Sequence, residues 1–197
     1  MPDIKHFDPD AVLDSVVHLF WRNGTAATGI QDVVEATGLN RSSLYNAFGG
    51  KDDLYIAALH RYVDRYSRPA LERLSGDGRG LDALREFFDG LIDTRCHGEY
   101  ARWGCMVANA HAGAGAESQP DVAGILLDHH RRLVTSLRSA LTAAGERGQL
   151  RADADPDACA NHLALVAYGV NIRSRSGALA DELRRGTEAA LASIAFP

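Results

Sequence analysis

Residues 40–46 contain an unusual density of short hydrogen-bonding side chains. They combine amides and hydroxyls with one guanidinium and one phenol: Asn40, Arg41, Ser42, Ser43, Tyr45 and Asn46. Guanidinium and carboxamide groups can make paired hydrogen bonds to the edges of bases, whereas hydroxyl groups more often bind phosphate. The chemistry that this set predicts is therefore recognition of nucleic acid.

Two short helices joined by a tight turn are predicted to position this group. The first helix is expected to open at Thr28, with Gln31 three residues later completing a capping box. Gly38 suits the left-handed turn that ends it. Asn40 is expected to cap the second helix, and Leu44 anchors that helix on its apolar face. This order predicts a helix-turn-helix, whose second helix enters the major groove of DNA.

The rest of the chain predicts an all-α fold, because helical periodicity recurs and no run alternates as a strand would. A helix opens at Asp8-Pro9, and the fourth helix begins near Lys51. The expected domains are a three-helix head at 1–50 and a second domain at 75–197, connected by helix four at about 51–74. Further helices are predicted at about 81–97, 102–114, 121–147, 156–175 and 178–195.

The segment from Phe20 to Tyr62 resembles the DNA-binding domain of the TetR/AcrR family of transcriptional regulators. The shared features are the Thr-Gly pair at 28–29, the turn at 37–39, and the spacing of the apolar and aromatic residues that follow it. The resemblance covers about the first third of the chain, and many fixed spacings agree at once. The remainder is similar only in its layout of helices after a short linker.

The resemblance implies a one-component regulator, a repressor, that binds palindromic double-stranded operator DNA as a homodimer and is released by a small-molecule or electrophile inducer. It implies that the C-terminal domain holds the ligand pocket and that the last two helices pair with those of the partner. Thr28 and the backbone of Gly29 would contact phosphate, and Tyr45 and Lys51 the DNA backbone. The residues that would face bases are Arg41, Ser42, Ser43 and Asn46, with Asn40 on the same exposed face.

A shorter resemblance, from Arg102 to Gly113, is to a branch of this family in which a cysteine senses electrophiles or oxidants. Here that cysteine would be Cys105. A buried structural cysteine is the alternative interpretation, since free cysteine is commonly a small core residue. The expected wall of the ligand pocket combines Cys105 with five other residues: Trp103, Met106, Asn109, His111 and Tyr168.

The charge of the head argues against DNA binding. The first 61 residues hold five basic and eight acidic side chains, and the whole chain has a formal charge of −5. Phosphate contacts supply most non-specific affinity for DNA. We expect the negative charge to weaken DNA binding only partly, because of where the charges lie. Arg41 and Lys51 flank the recognition helix, whereas several acids stand at helix N-termini, where the helix dipole favours them.

Two other functions remain open from the sequence. An enzyme could use Cys105 as nucleophile with His111 or His162 as base, although no catalytic motif is present. A helical adaptor that binds only protein is the second. We expect no cofactor and no metal, since no i, i+4 pair occurs among the histidines of the second domain, His97, His111, His129, His130 and His162. We expect a cytoplasmic protein. The three cysteines are dispersed, no apolar run is long enough to cross a membrane, and no signal peptide is recognised.

Overall fold

The computed structural model describes residues 7–113 and 119–196. Within these ranges the chain is helical and contains no β-strand, which confirms the predicted all-α fold. The helices are α1 (Pro9–Asn23), α2 (Ile30–Thr37), α3 (Arg41–Phe48), α4 (Lys51–Tyr62), α5 (Arg68–Gly76), α6 (Leu81–Cys96), α7 (Met106–Ala112), α8 (Pro120–Glu146), α9 (Pro156–Arg175) and α10 (Ala180–Ile194).

Side-chain caps set the start of several helices, as the sequence predicts. The carboxylate of Asp8 accepts a hydrogen bond from the backbone of Asp10 at the start of α1. Asp155 does the same for α9, where a proline again occupies the first turn. These caps satisfy backbone N–H groups that have no partner within the helix.

The predicted cap of α2 is wrong by one residue. The cap is Gly29, whose N–H donates to the carboxylate of Asp32 at 2.6 Å. The side chain of Gln31 instead lies toward Glu35 on the exposed face of α2. Asp32 succeeds because it occupies the third helical position after Gly29, where a carboxylate can reach back to the cap.

Helix four does not run as one regular helix. A π-helical segment, Val63–Ser67, joins α4 to α5, and the combined rod continues to Gly76. The rod therefore ends two residues beyond the predicted end of helix four at about 74. A π-turn adds one residue to the helix and so rotates everything beyond it. Tyr62 therefore packs on the head, while Leu71 and Leu74 pack in the second domain.

The second domain packs α8 and α9 against each other, with α5, α6 and α10 around them. The predicted helix at 102–114 is too long at its start. The observed helix, α7, begins only at Met106, because Arg102 and Gly104 both have positive φ values, 64° and 67°. Residue 114 lies outside the described ranges.

The head and the second domain share one apolar core. Trp21 at the end of α1 is fully buried, and its ring contacts Tyr62, Tyr66, Tyr100 and Trp103. Its indole Nε1 donates to the carbonyl of Gly104 at 2.8 Å. The core of the head therefore extends across the predicted domain boundary into the loop before α7.

Arg175, at the end of α9, adds a polar tie between the domains. Its guanidinium donates to the carbonyl oxygens of Trp103 at 2.9 Å and Arg22 at 3.1 Å. Carbonyl groups in the last turn of a helix such as α1 lack partners within the helix. Arg175 therefore caps the end of α1 from the second domain.

In the part of the chain that the structure describes, no helix has the length and apolarity needed to cross a membrane.

Candidate DNA-binding interface and ligand cavity

The helix-turn-helix is built as the sequence predicts. Gly38 ends α2 in the left-handed conformation, with φ of 69°, and its N–H donates to the carbonyl of Val34. Asn40 caps α3 through its side-chain oxygen, which accepts from the N–H of Ser43 at 2.8 Å. Leu44 is buried beneath α3 and fixes that helix on the head. The exposed side of α3 is thereby held in a fixed orientation.

That exposed side presents Arg41, Ser42, Tyr45 and Asn46 to solvent. The guanidinium of Arg41 makes no hydrogen bond or ion pair to any residue that the structure describes. Ser43 is half-buried, and the amide oxygen of Asn40 is engaged in capping. The structure thus brings three of the four predicted base-facing residues onto one exposed surface, with Arg41 the most available donor.

In this structure the hydroxyl of Thr28 is not available to contact phosphate. The residue is only 1% exposed, and its hydroxyl donates to the carbonyl of Gly24 at 2.7 Å. It closes the loop between α1 and α2. The N–H of Gly29 is also engaged, by Asp32. The remaining donors at this helix end are the backbone N–H groups of Ile30, Gln31 and Asp32, which by position lack intrahelical partners.

Lys51, predicted to bind the DNA backbone, holds the head together in this structure. Its Nζ donates to the carbonyl of Thr25 at 2.8 Å and so ties the start of α4 to the loop before α2. An ammonium group has three donors, so phosphate contact by Lys51 stays a prediction.

The acidic residues of the head are largely engaged inside the protein. Asp14 binds Arg61 and Arg65, and its hydrogen bond to Arg61 lowers the pKa of Asp14. Asp53 accepts from the N–H of Gly50 at the start of α4, as Asp32 does at α2. Helix α3 itself contains no acidic residue. The net charge of the head therefore understates how favourable the α3 surface is for DNA.

Of the six residues predicted to line a ligand pocket, Met106 and Asn109 border a cleft in the described part of the chain. Trp103 belongs to the aromatic cluster around Trp21, and Cys105 is 5% exposed at the cap of α7. Met106 and Asn109 border a cleft of about 430 Å³ between the head and α7. Asn109 also donates to the carbonyl of Trp103 at 2.8 Å, which stabilises the loop before α7.

A cavity of about 280 Å³ lies elsewhere, between α5 and α6. It is lined by apolar residues of both helices together with four charged residues. Sequence reasoning missed it, because its lining residues are scattered along two helices whose contact is a tertiary feature.

The remaining two predicted wall residues, His111 and Tyr168, do meet. The hydroxyl of Tyr168 lies 3.5 Å from Nε2 of His111 and 3.4 Å from Nδ1 of His130. Burial raises the pKa of Tyr168 to about 12. The described residues contain no set of three or more ligating side chains arranged to hold a metal ion.

His129, beside this group, should make folding sensitive to acid. Burial, and secondarily the charges of His111, His130 and Arg132, lowers the pKa of His129 to about 4. The unfolded chain therefore takes up a proton below about pH 6.5 that the folded chain takes up only near pH 4. We expect this group alone to remove about 3 kcal/mol of the free energy of unfolding between those pH values, and none above pH 7.

Urea unfolding at pH 7.5, 6.0, 5.0 and 4.0 measures this effect. His129→Leu should flatten the decline, and it also removes a ring nitrogen, Nδ1, that is buried without a hydrogen-bond partner among the described residues. A wild-type and variant difference that is constant over the whole pH range would contradict the prediction.

Comparison with known proteins agrees with this geometry. Residues 12–58 match the model of the bacterial regulatory proteins of the tetR family, and residues 80–190 match the tetracyclin repressor-like C-terminal domain. The repressor ComR of Escherichia coli K12 is 31% identical over 180 residues, which is 91% of this chain and 85% of ComR. The regulator AcuR of Cereibacter sphaeroides is 26% identical, over 88% of this chain and 78% of AcuR.

Solved structures show the same fold. A cysteine variant of the TetR-family regulator CifR, in complex with a 26-base-pair operator DNA, superposes with a TM-score of 0.83 at 25% identity, over 96% of this chain and 98% of CifR. E. coli NemR in its reduced form superposes with a TM-score of 0.79 at 19% identity, over 95% and 96% of the two chains. Both family models and a full-length relative thus match a chain with an exposed helix-turn-helix, and the protein belongs to the TetR family of bacterial transcriptional regulators.

Proposed function

We propose that this protein is a transcriptional repressor that binds palindromic operator DNA as a homodimer and is released by a small molecule. The observation that carries the proposal is the exposed α3 surface, on which the guanidinium of Arg41 has no partner in the described chain. An arginine so placed can donate both hydrogen bonds to guanine in the major groove. A repressor of this kind acts on the chromosome, so we place it in the cytoplasm.

Dimerisation is supported by apolar side chains left exposed on the second domain. Leu165 is 69% exposed on α9, and Ile172, one heptad further, is also exposed. The neighbouring face of α10 exposes small residues, among them Gly186, Ala189 and Ala192. Small residues let a partner helix approach closely, and a heptad-spaced pair suits packing between helices. We propose that α9 and α10 pair with the same helices of a second copy.

Release by a ligand needs a difference in affinity between two forms of the dimer. In the form that binds the operator, two α3 helices must lie about 34 Å apart to reach successive major grooves. The ties from Trp21 and Arg175 to the loop before α7 link each head to the second domain. We propose that the inducer acts by changing this linkage.

Cys105 remains an alternative point of attack for an electrophile. At 5% exposure its thiol is covered by the core, so reaction requires the start of α7 to open. The substitution Cys105→Ser separates covalent from non-covalent release. We propose no enzymatic activity, since His162 is exposed on α9 and nothing in the comparisons favours the Cys105 enzyme that the sequence left open.

An electrophoretic mobility shift on the DNA that flanks the gene tests the proposal. We expect a salt-sensitive shift that Arg41→Ala weakens at least about fivefold, because a base-specific arginine contact is worth roughly 1–3 kcal/mol. Arg131→Ala, which removes an exposed arginine of α8, is the matched control and should not change the shift. A reporter fused to the same operator should be more active without the protein if the protein is a repressor.

If the protein does not shift the flanking DNA, we would select binding sites for it from a pool of random DNA sequences. A folded dimer that enriches no sequence there would refute the proposed function. Equal shifts for wild type and Arg41→Ala would instead refute the role of the α3 surface.

A further inference from the structure

Arg95 is a buried cation with no anion beside it. It lies on α6 and is 8% exposed. Its Nε donates to the side-chain oxygen of Asn171 at 2.7 Å, and its Nη2 donates to the hydroxyl of Tyr62 at 3.2 Å. The guanidinium carbon lies 5.6 Å from the ring of Trp21. Across residues 7–113 and 119–196, no carboxylate oxygen comes within 4.0 Å of this guanidinium.

This arrangement leaves a charge to be neutralised. Arginine stays protonated in proteins, and removing its charge from water is strongly unfavourable unless an anion compensates. The three neighbours of Arg95 are neutral: an amide, a phenol and an indole. Its Nη1 donates to none of the described residues. A guanidinium with a spare N–H edge and no counter-ion is typical of a site that receives an anion.

The cavity between α5 and α6 gives an anion access to Arg95. Arg95 is one of its lining residues, and Phe87, Leu91 and Leu74 supply apolar wall. Its volume of about 280 Å³ is at the lower end of ligand sites, which run from about 300 to 1,000 Å³, so it suits a compact molecule.

The other charged residues of the cavity do not cancel Arg95. Its two acids, Asp77 and Glu86, both bind the guanidinium of Arg79. Arg73 is a second lining cation, and no carboxylate that the structure describes lies within ion-pair distance of it. The four charged lining residues sum to zero, and Arg79, which stands behind the two acids, brings the local sum to +1. The charge that faces the cavity near Arg95 therefore favours an anion over a cation.

We propose that this cavity binds a small organic carboxylate. The carboxylate accepts hydrogen bonds from the Nη1 edge of Arg95, and the hydrocarbon part packs on Phe87 and Leu91. The apolar walls select against strongly hydrated anions such as sugar phosphates, which would leave most of their polar groups without partners.

The same arginine connects the cavity to the rest of the protein. Tyr62 lies on α4 and Asn171 on α9, while Trp21 ends α1. A carboxylate that binds the guanidinium of Arg95 competes with Tyr62 and Asn171 for the N–H groups of that guanidinium. The ligand so identified is the inducer of the proposed repressor, and this assignment rests on the proposed function, whereas binding in the cavity does not.

Isothermal titration of the DNA-free protein tests the binding itself. The probes are butyrate, hexanoate and benzoate, each compared with its neutral amide. We expect at least one carboxylate to bind at least tenfold more tightly than its amide. If no carboxylate binds at up to 10 mM, or if every amide binds as well as its acid, the proposal is overturned.

Two variants locate the site. Arg95→Gln removes the charge, and Gly90→Leu fills the cavity from a lining position where an added Cβ meets nothing within 4 Å. Each should weaken binding of the carboxylate at least tenfold. Arg85→Gln changes a half-buried arginine of the same helix that is absent from the cavity wall, and this variant should bind as wild type does.

Gly90→Leu keeps the test decisive if Arg95→Gln does not fold, since leucine stabilises a helix relative to glycine. Unchanged binding in Gly90→Leu would refute the cavity as the site. Mobility shifts with the carboxylate present are read separately. Binding without release of the operator would leave the site established and refute only its role as the inducer site.

Discussion

Trp21→Ala should destabilise the protein by about 3–5 kcal/mol, the range for removing a large aromatic side chain from a packed core. Trp21 is fully buried among four other aromatic rings, and no rearrangement of α1 can fill the space without moving the head. In a chain of this length the thermal midpoint should fall by roughly 6–20 °C. Urea unfolding followed by circular dichroism measures the change, at one protein concentration because a dimer gains stability from association.

Trp21→Phe is the control for the hydrogen bond from the indole. It keeps most of the aromatic contact and loses the donor to Gly104, whose carbonyl is then buried without that partner. We expect a smaller loss, about 1–3 kcal/mol. Losses below 1 kcal/mol for Trp21→Ala would show that the shared core between the domains contributes little.

Gly80→Ala is expected to destabilise the protein more than a glycine-to-alanine change at any other described position of the second domain. Gly80 caps α6 with φ of 70°, and an added Cβ would lie 2.7 Å from Cα of Ala144 on α8 and against the side-chain oxygen of Gln149. That oxygen accepts from the N–H of Leu81 at 2.9 Å. Left-handed strain costs about 1–2 kcal/mol, and forced separation of packed backbone costs about 1–3 kcal/mol more.

Gly38→Ala separates the two contributions. Gly38 has nearly the same φ, 69°, but an added Cβ meets nothing within 4 Å. It should therefore lose only the conformational part, about 1–2 kcal/mol. Unfolding free energies of the two variants, measured side by side, give the steric part by difference. Equal losses would contradict the close approach of α6 and α8 at Gly80.

The head was predictable from sequence because its determinants are local. The cap at Asn40, the left-handed turn at Gly38 and the buried Leu44 each act within a few residues, and the structure has all three as predicted. The cap of α2 was misassigned because Thr28 and Gly29 both favour that position. The choice is made by Gly24, whose carbonyl takes the hydroxyl of Thr28, and by Asp32.

The proposed carboxylate cavity is not predictable in the same way. The helix predicted at about 102–114 does not form at its start, because Arg102 and Gly104 have positive φ values, and Trp103 packs against Trp21. Arg95 gives no signal in sequence, since an arginine on a helix is usually exposed. Only the packing of α6 against α4 and α9 shows that it is buried without a carboxylate.

The aromatic core around Trp21 also bears on protein engineering. Replacing the DNA-binding head with that of a relative would be one way to direct this regulator to another operator, and the predicted domain boundary at residue 50 suggests a point at which to join the two parts. Here such a graft would place a foreign α1 against Gly104, Trp103 and Arg175. A chimera of this protein should therefore carry the loop before α7 and the end of α9 together with the new head.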